Sequence, residues 1–122
     1  MTVPVVYVVR AEIAPEAERA WDEWSTSVHI PDVLAQPGFL RATKYRLAAP
    51  TPDGWARYWC LYEVATRADL DAYLAGDAVK RLRGEHLERF GGASRLTREI
   101  LEEVAAVEAP ENEAGRASRA AR

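Results

Sequence analysis

The stretch VPVVYVVRAEI, residues 3–13, is apolar at almost every position up to Val9. Its β-branched residues favour an extended strand, and Pro15, just beyond it, suits the first turn of a helix. A strand on a half-exposed sheet alternates apolar and polar residues, whereas a near-continuous apolar run is typical of a strand buried on both faces. The stretch therefore predicts a first strand that is covered on both sides.

Residues 55–64, WARYWCLYEV, repeat this pattern. Both alternating rows of side chains are largely apolar, with Arg57 and Glu63 as the polar members of one row. A preceding strand is predicted over residues 39–48, because turn-forming residues fill positions 50–54 between the two. The two strands are expected to pair as a hairpin.

A first amphipathic helix is predicted after Pro15, because apolar residues recur there at steps of three and four. Pro31 is expected to end or kink this helix near His29, since proline disfavours the helical conformation of the residue before it. The apolar stripe consists of Ala17, Ala20, Trp21, Trp24 and Val28.

A second helical segment is predicted to begin at Thr66, with Asp69 as its capping partner. An interruption is expected at Gly76, and Gly91 and Gly92 are expected to close the segment in the left-handed conformation. Its apolar stripe consists of Val79, Leu82, His86, Leu87 and Phe90.

Together with a last strand over residues 94–104, these elements follow the order β-α-β-β-α-β. This order predicts an α+β fold of the ferredoxin-like type, with an antiparallel four-stranded sheet. A chain of 122 residues has room for one core, which is assigned to a domain over residues 1–104. Residues 105–122 are small and charged and lack hydrophobic periodicity, so they are predicted to form a flexible C-terminal tail.

Right-handed crossovers place both predicted helices on the same side of such a sheet. The apolar residues on the other side then need a cover that one chain does not supply. A second copy of the sheet is the simplest cover, so the sequence predicts a homodimer formed through the open sheet face.

Composition narrows the classes of partner. The chain carries 16 Lys+Arg against 19 Asp+Glu, so we expect neither nucleic acid nor a membrane surface as a partner. The apolar opening of residues 3–9 is too short to span a bilayer. Cys60 is the single cysteine, which excludes an internal disulfide and favours a cytoplasmic location.

Two segments carry a family resemblance. Trp21 and Trp24 lead into VHIPDVL, residues 28–34, and the second helix closes in EHLERFGG, residues 85–92. In this order of elements the chain resembles the dimeric α/β-barrel superfamily, and within it a small uncharacterised bacterial family. Its relatives include cofactor-free antibiotic-biosynthesis monooxygenases, muconolactone isomerase-like proteins, EthD-like proteins and haem-handling enzymes. The resemblance implies a shared architecture and no single chemistry.

His29 is the first candidate catalytic residue. If the helix ends near Pro31, the imidazole lies beside unpaired carbonyls that favour its protonated form, and Asp32 can orient the ring. Such a histidine can act as a general base or acid near neutral pH. The alternative is a helix-end residue that only hydrogen bonds to the backbone.

His86 is the second candidate, and it falls on the apolar stripe of the second helix. The favoured interpretation is a core histidine that bonds one polar neighbour, and polarisation of a substrate carbonyl is the alternative. Two histidines without a third patterned ligand predict no metal site. Tyr45 is a third candidate for polarising the substrate.

Aromatic and basic residues on and beside the strands are candidate substrate contacts, namely Trp24, Asp32, Trp59 and Arg57. Core filling is the alternative for the aromatic residues. The strand arginines Arg41, Arg57 and Arg98 either pair across the sheet with Glu63 or Glu99, or reach an anionic group of a substrate.

Two functions therefore stay open. One is a cofactor-independent enzyme that acts on an apolar or polyketide-like substrate by histidine acid/base chemistry, as an isomerase, cyclase or monooxygenase. The other is a non-catalytic module that binds a small ligand or a protein partner.

Overall fold

A computed structural model describes residues 4–111 of the chain. Its centre is strand β1, Val5–Ile13, which pairs antiparallel with two neighbours. The sheet order is β2-β3-β1-β4, and every pairing is antiparallel. The other strands are Phe39–Arg46 (β2), Ala56–Val64 (β3) and Ser94–Glu102 (β4).

The helices connect these strands in the expected order. They are Glu18–Trp24 (α1), Ile30–Leu34 (α2), Arg67–Ala75 (α3) and Asp77–Phe90 (α4). Short 3₁₀ turns cover Pro15–Ala17 and Gly91–Ala93. The predicted α+β, ferredoxin-like fold with a four-stranded antiparallel sheet is thereby confirmed.

The register divides the sheet into two faces. Tyr7 lies opposite Tyr62 and Ile13 lies opposite Ala56, and these side chains form the core together with the helices. Leu70 of α3 and Leu82 of α4 are completely buried against this row. All helices therefore cover one face, which we call the helix face, and the opposite side is the open face.

The segment around Pro31 differs from the expected helix end. A π-helical segment, Ser25–His29, links α1 directly to α2, and the N–H of Ile30 donates to the carbonyl of Ser25. The wider turn lets the chain continue past Pro31, whose ring would clash with a regular helix at this point. His29 thus lies inside a helical run and not at a helix end, so the predicted contact with free terminal carbonyls is wrong.

Other local predictions have mixed outcomes. The Thr66 hydroxyl accepts a hydrogen bond from the N–H of Asp69 at 3.0 Å, so the predicted cap of α3 is confirmed. Gly91 has a φ of −54° and joins a 3₁₀ turn, so a left-handed closure there is wrong. Leu87 was expected on the apolar stripe, but it is 69% exposed because the buried row of α4 passes through Val79, Leu82 and His86.

We propose that the folded domain ends near Val104. Beyond β4, residues 103–111 form no helix or strand and are exposed to solvent. The remainder of the predicted tail, residues 112–122, lies outside the described part of the chain.

Truncation after Val104 is expected to leave the melting temperature within a few degrees of the full-length value. The described residues beyond the cut, 105–111, are exposed and form no helix or strand, so they bury too little apolar surface to stabilise the domain. Calorimetry of the two chains measures the difference. A substantially larger fall would mean that the tail docks on the domain.

Candidate functional site

A cavity of about 40 Å³, which we call the inner cavity, lies between the helix face of the sheet and the helices. Tyr7 of β1 and Tyr62 of β3 form its floor. His29 of the π segment and His86 of α4 contribute to its walls. The cavity thus brings the two candidate histidines together, with ring centroids 6.1 Å apart.

Two further cavities, of about 280 and 330 Å³, lie along the gap between α4 and β4. Both share Arg83 of α4 and Arg98 of β4 with the inner cavity. The three cavities therefore lie along one cleft, and the inner cavity forms its inner end. The two histidines line the inner end of this cleft.

His29 is held by stacking. Its ring lies 4.9 Å from the Trp24 ring with an interplanar angle of 24°. Its Nδ1 atom is buried and has no hydrogen-bond partner among the residues that the structure describes. Asp32 consequently does not orient the ring by a hydrogen bond, and that expectation is wrong. A buried ring nitrogen without a partner is unusual, because burial of an unpaired polar group costs free energy.

The protonation of His29 also differs from the expectation. Burial lowers the pKa of His29 below its usual 6.5, and this effect exceeds the opposing influence of Asp32 and Glu85. The positive charge of Arg98 lowers the pKa further. Because the ring is not at a helix end, no row of terminal carbonyls offsets these effects. His29 is therefore neutral at pH 7 and has a free lone pair on one ring nitrogen.

His86 has a defined hydrogen bond. The Trp21 indole Nε1–H donates to His86 Nε2 at 3.0 Å inside the core. Burial lowers the pKa of His86 to about 4, with smaller contributions from His29 and Arg98. A neutral ring that accepts at Nε2 carries its proton on Nδ1, so His86 is a hydrogen-bond donor and not a base.

Tyr62 and Tyr73 are neutral phenols. Burial raises the pKa of Tyr73 to about 12 and raises that of Tyr62 further. Tyr7 accepts a hydrogen bond from Arg83 Nη2 at 3.0 Å. The inner end of the cleft is thus a largely aromatic space with neutral hydrogen-bonding groups.

Two cations give the cleft its charge. Within residues 4–111, neither Arg83 nor Arg98 forms an ion pair with a carboxylate. Arg41 does pair with Glu63 at 3.0 Å, as the cross-strand alternative predicts. Glu99 pairs with Arg10 on the open face. Arg98 is the neighbour of Glu99 in β4, so its side chain lies on the opposite, helix face and does not take part in this pair.

Three predicted site residues do not reach the cleft. Trp59 and Arg57 alternate with the core row of β3 and lie on the open face, where Arg10 covers the Trp59 ring at 4.6 Å. Tyr45 pairs with Trp59 across the hairpin and is 56% exposed. Within one chain, the sheet separates these side chains from His29, so they cannot share a site with it.

The remaining predicted contacts lie close to the site. Trp24 supports the His29 ring, and Asp32 lines a separate outer cavity with Glu85 and Glu88. Sequence reasoning assigned no site role to Arg83, Tyr73 or Trp21. The sequence did indicate Arg98 as a possible contact for an anionic group, and the structure places it on one face of β4 with Leu96 and Ile100.

Between residues 4 and 111, no group of three or more His, Cys, Asp or Glu side chains is placed to hold a metal ion. No helix in that range is both long and apolar enough to cross a bilayer. Burial raises the pKa of Cys60 to about 11, so its thiol is unreactive packing.

Comparison with solved structures finds the same fold in several proteins. An EthD-family protein from Bacillus halodurans is 22% identical with a TM-score of 0.60, covering 82% of this chain and 99% of its own. A Nitrosomonas europaea protein proposed to be an antibiotic biosynthesis monooxygenase is 17% identical with a TM-score of 0.62, covering 85% and 93%. A variant of SnoaB, a cofactor-independent oxygenase from Streptomyces nogalater, is 17% identical with a TM-score of 0.58, covering 85% and 96%.

These likenesses confirm the resemblance to EthD-like proteins and antibiotic-biosynthesis monooxygenases at the level of the fold. No curated protein matches the sequence. The model of a family described as a domain of unknown function (DUF4286) matches residues 4–104, and the chain therefore belongs to this family.

Proposed function

We propose that this protein is a cofactor-independent enzyme that removes a proton from a small, flat and mostly apolar substrate. The observation that carries the proposal is the buried Nδ1 of His29, which has no hydrogen-bond partner in the described chain. The ring that carries it lines the inner cavity. A general base needs a free lone pair and a neutral state at the working pH, and His29 has both.

The reaction begins with an acidic C–H beside a carbonyl. His29 takes the proton, and the electron pair of the broken C–H bond moves into the carbonyl as an enolate. The positive charge of Arg98, which acts on both histidines, stabilises this anion. The Nδ1–H of His86 is the neutral donor available to the enolate oxygen.

The lowered pKa of His29 limits the substrate. A weak base removes protons efficiently from carbon acids whose anions are well delocalised, such as aryl 1,3-dicarbonyl compounds. The aromatic walls formed by Tyr7, Tyr62 and Tyr73 suit a flat molecule of this kind. Return of the proton from His29 to another carbon completes an isomerisation. In a cyclisation the enolate carbon instead bonds to a second carbonyl carbon of the same molecule, and the proton goes to the oxygen of that carbonyl.

An oxygenation follows if dioxygen is the co-reactant. Dioxygen then accepts electrons from the enolate and forms the new C–O bond, and His29 returns its proton to the oxygenated product. The description of SnoaB as a cofactor-independent oxygenase supports this outcome for a protein of the same fold. We therefore propose oxygenation ahead of isomerisation.

Solvent deuterium exchange tests the proton transfer without knowledge of the natural substrate. Benzoylacetone and ethyl benzoylacetate are incubated with the protein in deuterated buffer, and NMR follows loss of the α-proton. We expect exchange above the buffer rate for at least one compound, and oxygen consumption then separates oxygenation from isomerisation. Binding of both compounds without faster exchange would favour the alternative of a non-catalytic binding module.

We also propose that two chains form a homodimer through the open face. No helix covers that face in the described chain, although Val6, Leu61 and Leu101 are apolar there. Leu101 is 43% exposed, and Val8 is already buried beside it. A second sheet packed on these side chains removes them from water.

Leu101→Arg is expected to shift the protein from dimer to monomer, because an unpaired guanidinium in an apolar interface costs several kcal/mol of association free energy. Light scattering at micromolar concentration measures the mass. Leu87→Arg is the matched control, since Leu87 is more exposed but lies on α4. A wild-type protein that is monomeric in this assay would refute the dimer.

A further inference from the structure

The cleft has an unusual distribution of charge. Most of the arginines on the described strands have a carboxylate partner: Arg10 pairs with Glu99, Arg41 with Glu63, Arg46 with Glu18 and Arg95 with Glu12 and Asp53. Arg57, on the open face, has none within the described chain. Arg83 and Arg98 also have none there, and both line the inner cavity and the two cavities that continue from it. The cleft therefore contains two arginines without a carboxylate partner, while Glu99, which borders its outer cavity, is paired with Arg10.

The two guanidinium groups occupy different depths. Arg98 acts on the pKa of His29, His86 and the buried Tyr62, so its charge is felt at the inner end. Arg83 is exposed on α4 and contacts the hydroxyl of Tyr7. The position of Arg98 allows it to stabilise the anion formed during the reaction. Arg83, farther out, is available to bind a charged group that the substrate carries before it reacts.

Arg83 and Tyr7 form a pair of donors. Because the Tyr7 oxygen accepts from Arg83 Nη2, the phenolic O–H remains free to donate to a second group. The guanidinium has further N–H donors beside it, and the two donor groups lie 3.0 Å apart. Two donor groups this close together can both reach one carboxylate, which accepts a charge-assisted hydrogen bond from the guanidinium and a second hydrogen bond from the phenol.

We propose that Arg83 and Tyr7 bind a carboxylate of the substrate at the outer part of the cleft. The substrate class is then a flat aromatic or polyketide-like carboxylic acid, with its ring toward His29 and its carboxylate toward α4. Leu74 and Ile100 border the same outer space and contact the apolar body of such a molecule. This inference rests on the proposed function, because it takes the inner end of the cleft as the place of reaction.

Binding of naphthoate and the matched naphthamide tests the inference, since the two differ in charge and little in shape. Quenching of tryptophan fluorescence reports binding to the wild-type protein. We expect naphthoate to bind about 10-fold more tightly than naphthamide, as one charge-assisted hydrogen-bond pair at a partly exposed site predicts. Naphthoate affinity should also fall as the salt concentration rises.

Variants assign the preference to the named residues. Arg83→Gln is expected to abolish the preference for naphthoate and to leave naphthamide affinity unchanged, whereas Arg83→Lys retains part of it. Tyr7→Phe is expected to reduce the preference without loss of naphthamide binding. Arg81→Gln is the matched control, because Arg81 lies on the same helix and pairs with Glu85 outside the cleft. It should behave as the wild type.

The outcomes separate this inference from the proton-transfer proposal. Equal affinity of the wild type for the acid and the amide would overturn the carboxylate site, as would failure of both to bind at millimolar concentration. An unchanged preference in Arg83→Gln would also overturn it. A clear preference for naphthoate, without exchange of any carbon acid, would keep the carboxylate site and refute the proton transfer.

Discussion

Replacement of His29 by glutamine is expected to slow α-proton exchange by about 10²-fold or more while the affinity for the same compound stays within about twofold. Glutamine keeps a planar, polar side chain of similar size but has no lone pair that accepts a proton at neutral pH. The buried Nδ1 of His29 has no partner to lose within the described chain, so the substitution breaks no hydrogen bond there. Exchange rates and dissociation constants for the two proteins measure the effect.

The pH dependence adds a second signature to the same experiment. The pKa of His29 lies below 6.5, because burial penalises the charged imidazolium. The base form therefore predominates above that value, and the exchange rate should fall as the pH is lowered through the pKa. An exchange rate that rises toward acid pH would contradict a histidine base.

The control for His29→Gln is His86→Gln, which alters the neighbouring ring but spares the proposed base. We expect a smaller loss of exchange activity than in His29→Gln, because this variant removes the Nδ1–H that donates to the enolate oxygen but leaves the base in place. Equal loss of activity in the two variants would mean that the pair acts as a unit. A His29→Gln protein with full activity would leave His29 with a packing role against Trp24 alone.

Sequence patterns predicted the sheet well because strand alternation and turn residues are local signals. The hairpin, the capped α3 and the break at Gly76 all follow from residues within a few positions of each other. The π segment did not follow, because Pro31 predicts a disturbance and does not specify how the helix absorbs it. The location of His29 depends on that detail.

The site itself depends on which face each strand residue occupies. Tyr45, Trp59 and Arg57 were chosen for their chemistry, and the register places them on the open face, away from His29. Arg98 and Tyr7 lie on the helix face for the same reason. A shift of one position reverses the face, so the composition of a strand alone cannot assign its residues to a cavity.

Protonation of His86 is expected to destabilise the fold as the pH falls from 6.5 to about 4. The pKa of His86 is depressed to about 4 in the folded state, against 6.5 in an unfolded chain, mainly because burial disfavours the charged ring. Over this interval the unfolded state binds more protons than the folded state, so the free energy of unfolding rises with pH. The full difference is up to about 3 kcal/mol, since each unit of pKa corresponds to about 1.4 kcal/mol.

The structure gives a reason for this cost. His86 Nε2 accepts a hydrogen bond from Trp21, and a proton on Nε2 would place two donors against each other in the core. Arg98 and His29 add positive charge nearby. The folded state consequently resists protonation until the pH is well below the ordinary pKa of histidine.

Urea unfolding at a series of pH values tests this prediction in the wild type and in His86→Gln. The glutamine amide oxygen keeps an acceptor for Trp21 but does not titrate, so the variant should lose the part of the pH dependence that belongs to His86. Comparison of the two proteins cancels the contribution of Asp53, whose pKa of about 2 reflects its bonds to Arg95 and Thr51. If the stability difference between the proteins stays constant from pH 4 to pH 7, His86 does not titrate with a depressed pKa, and the buried acceptor role assigned to it falls.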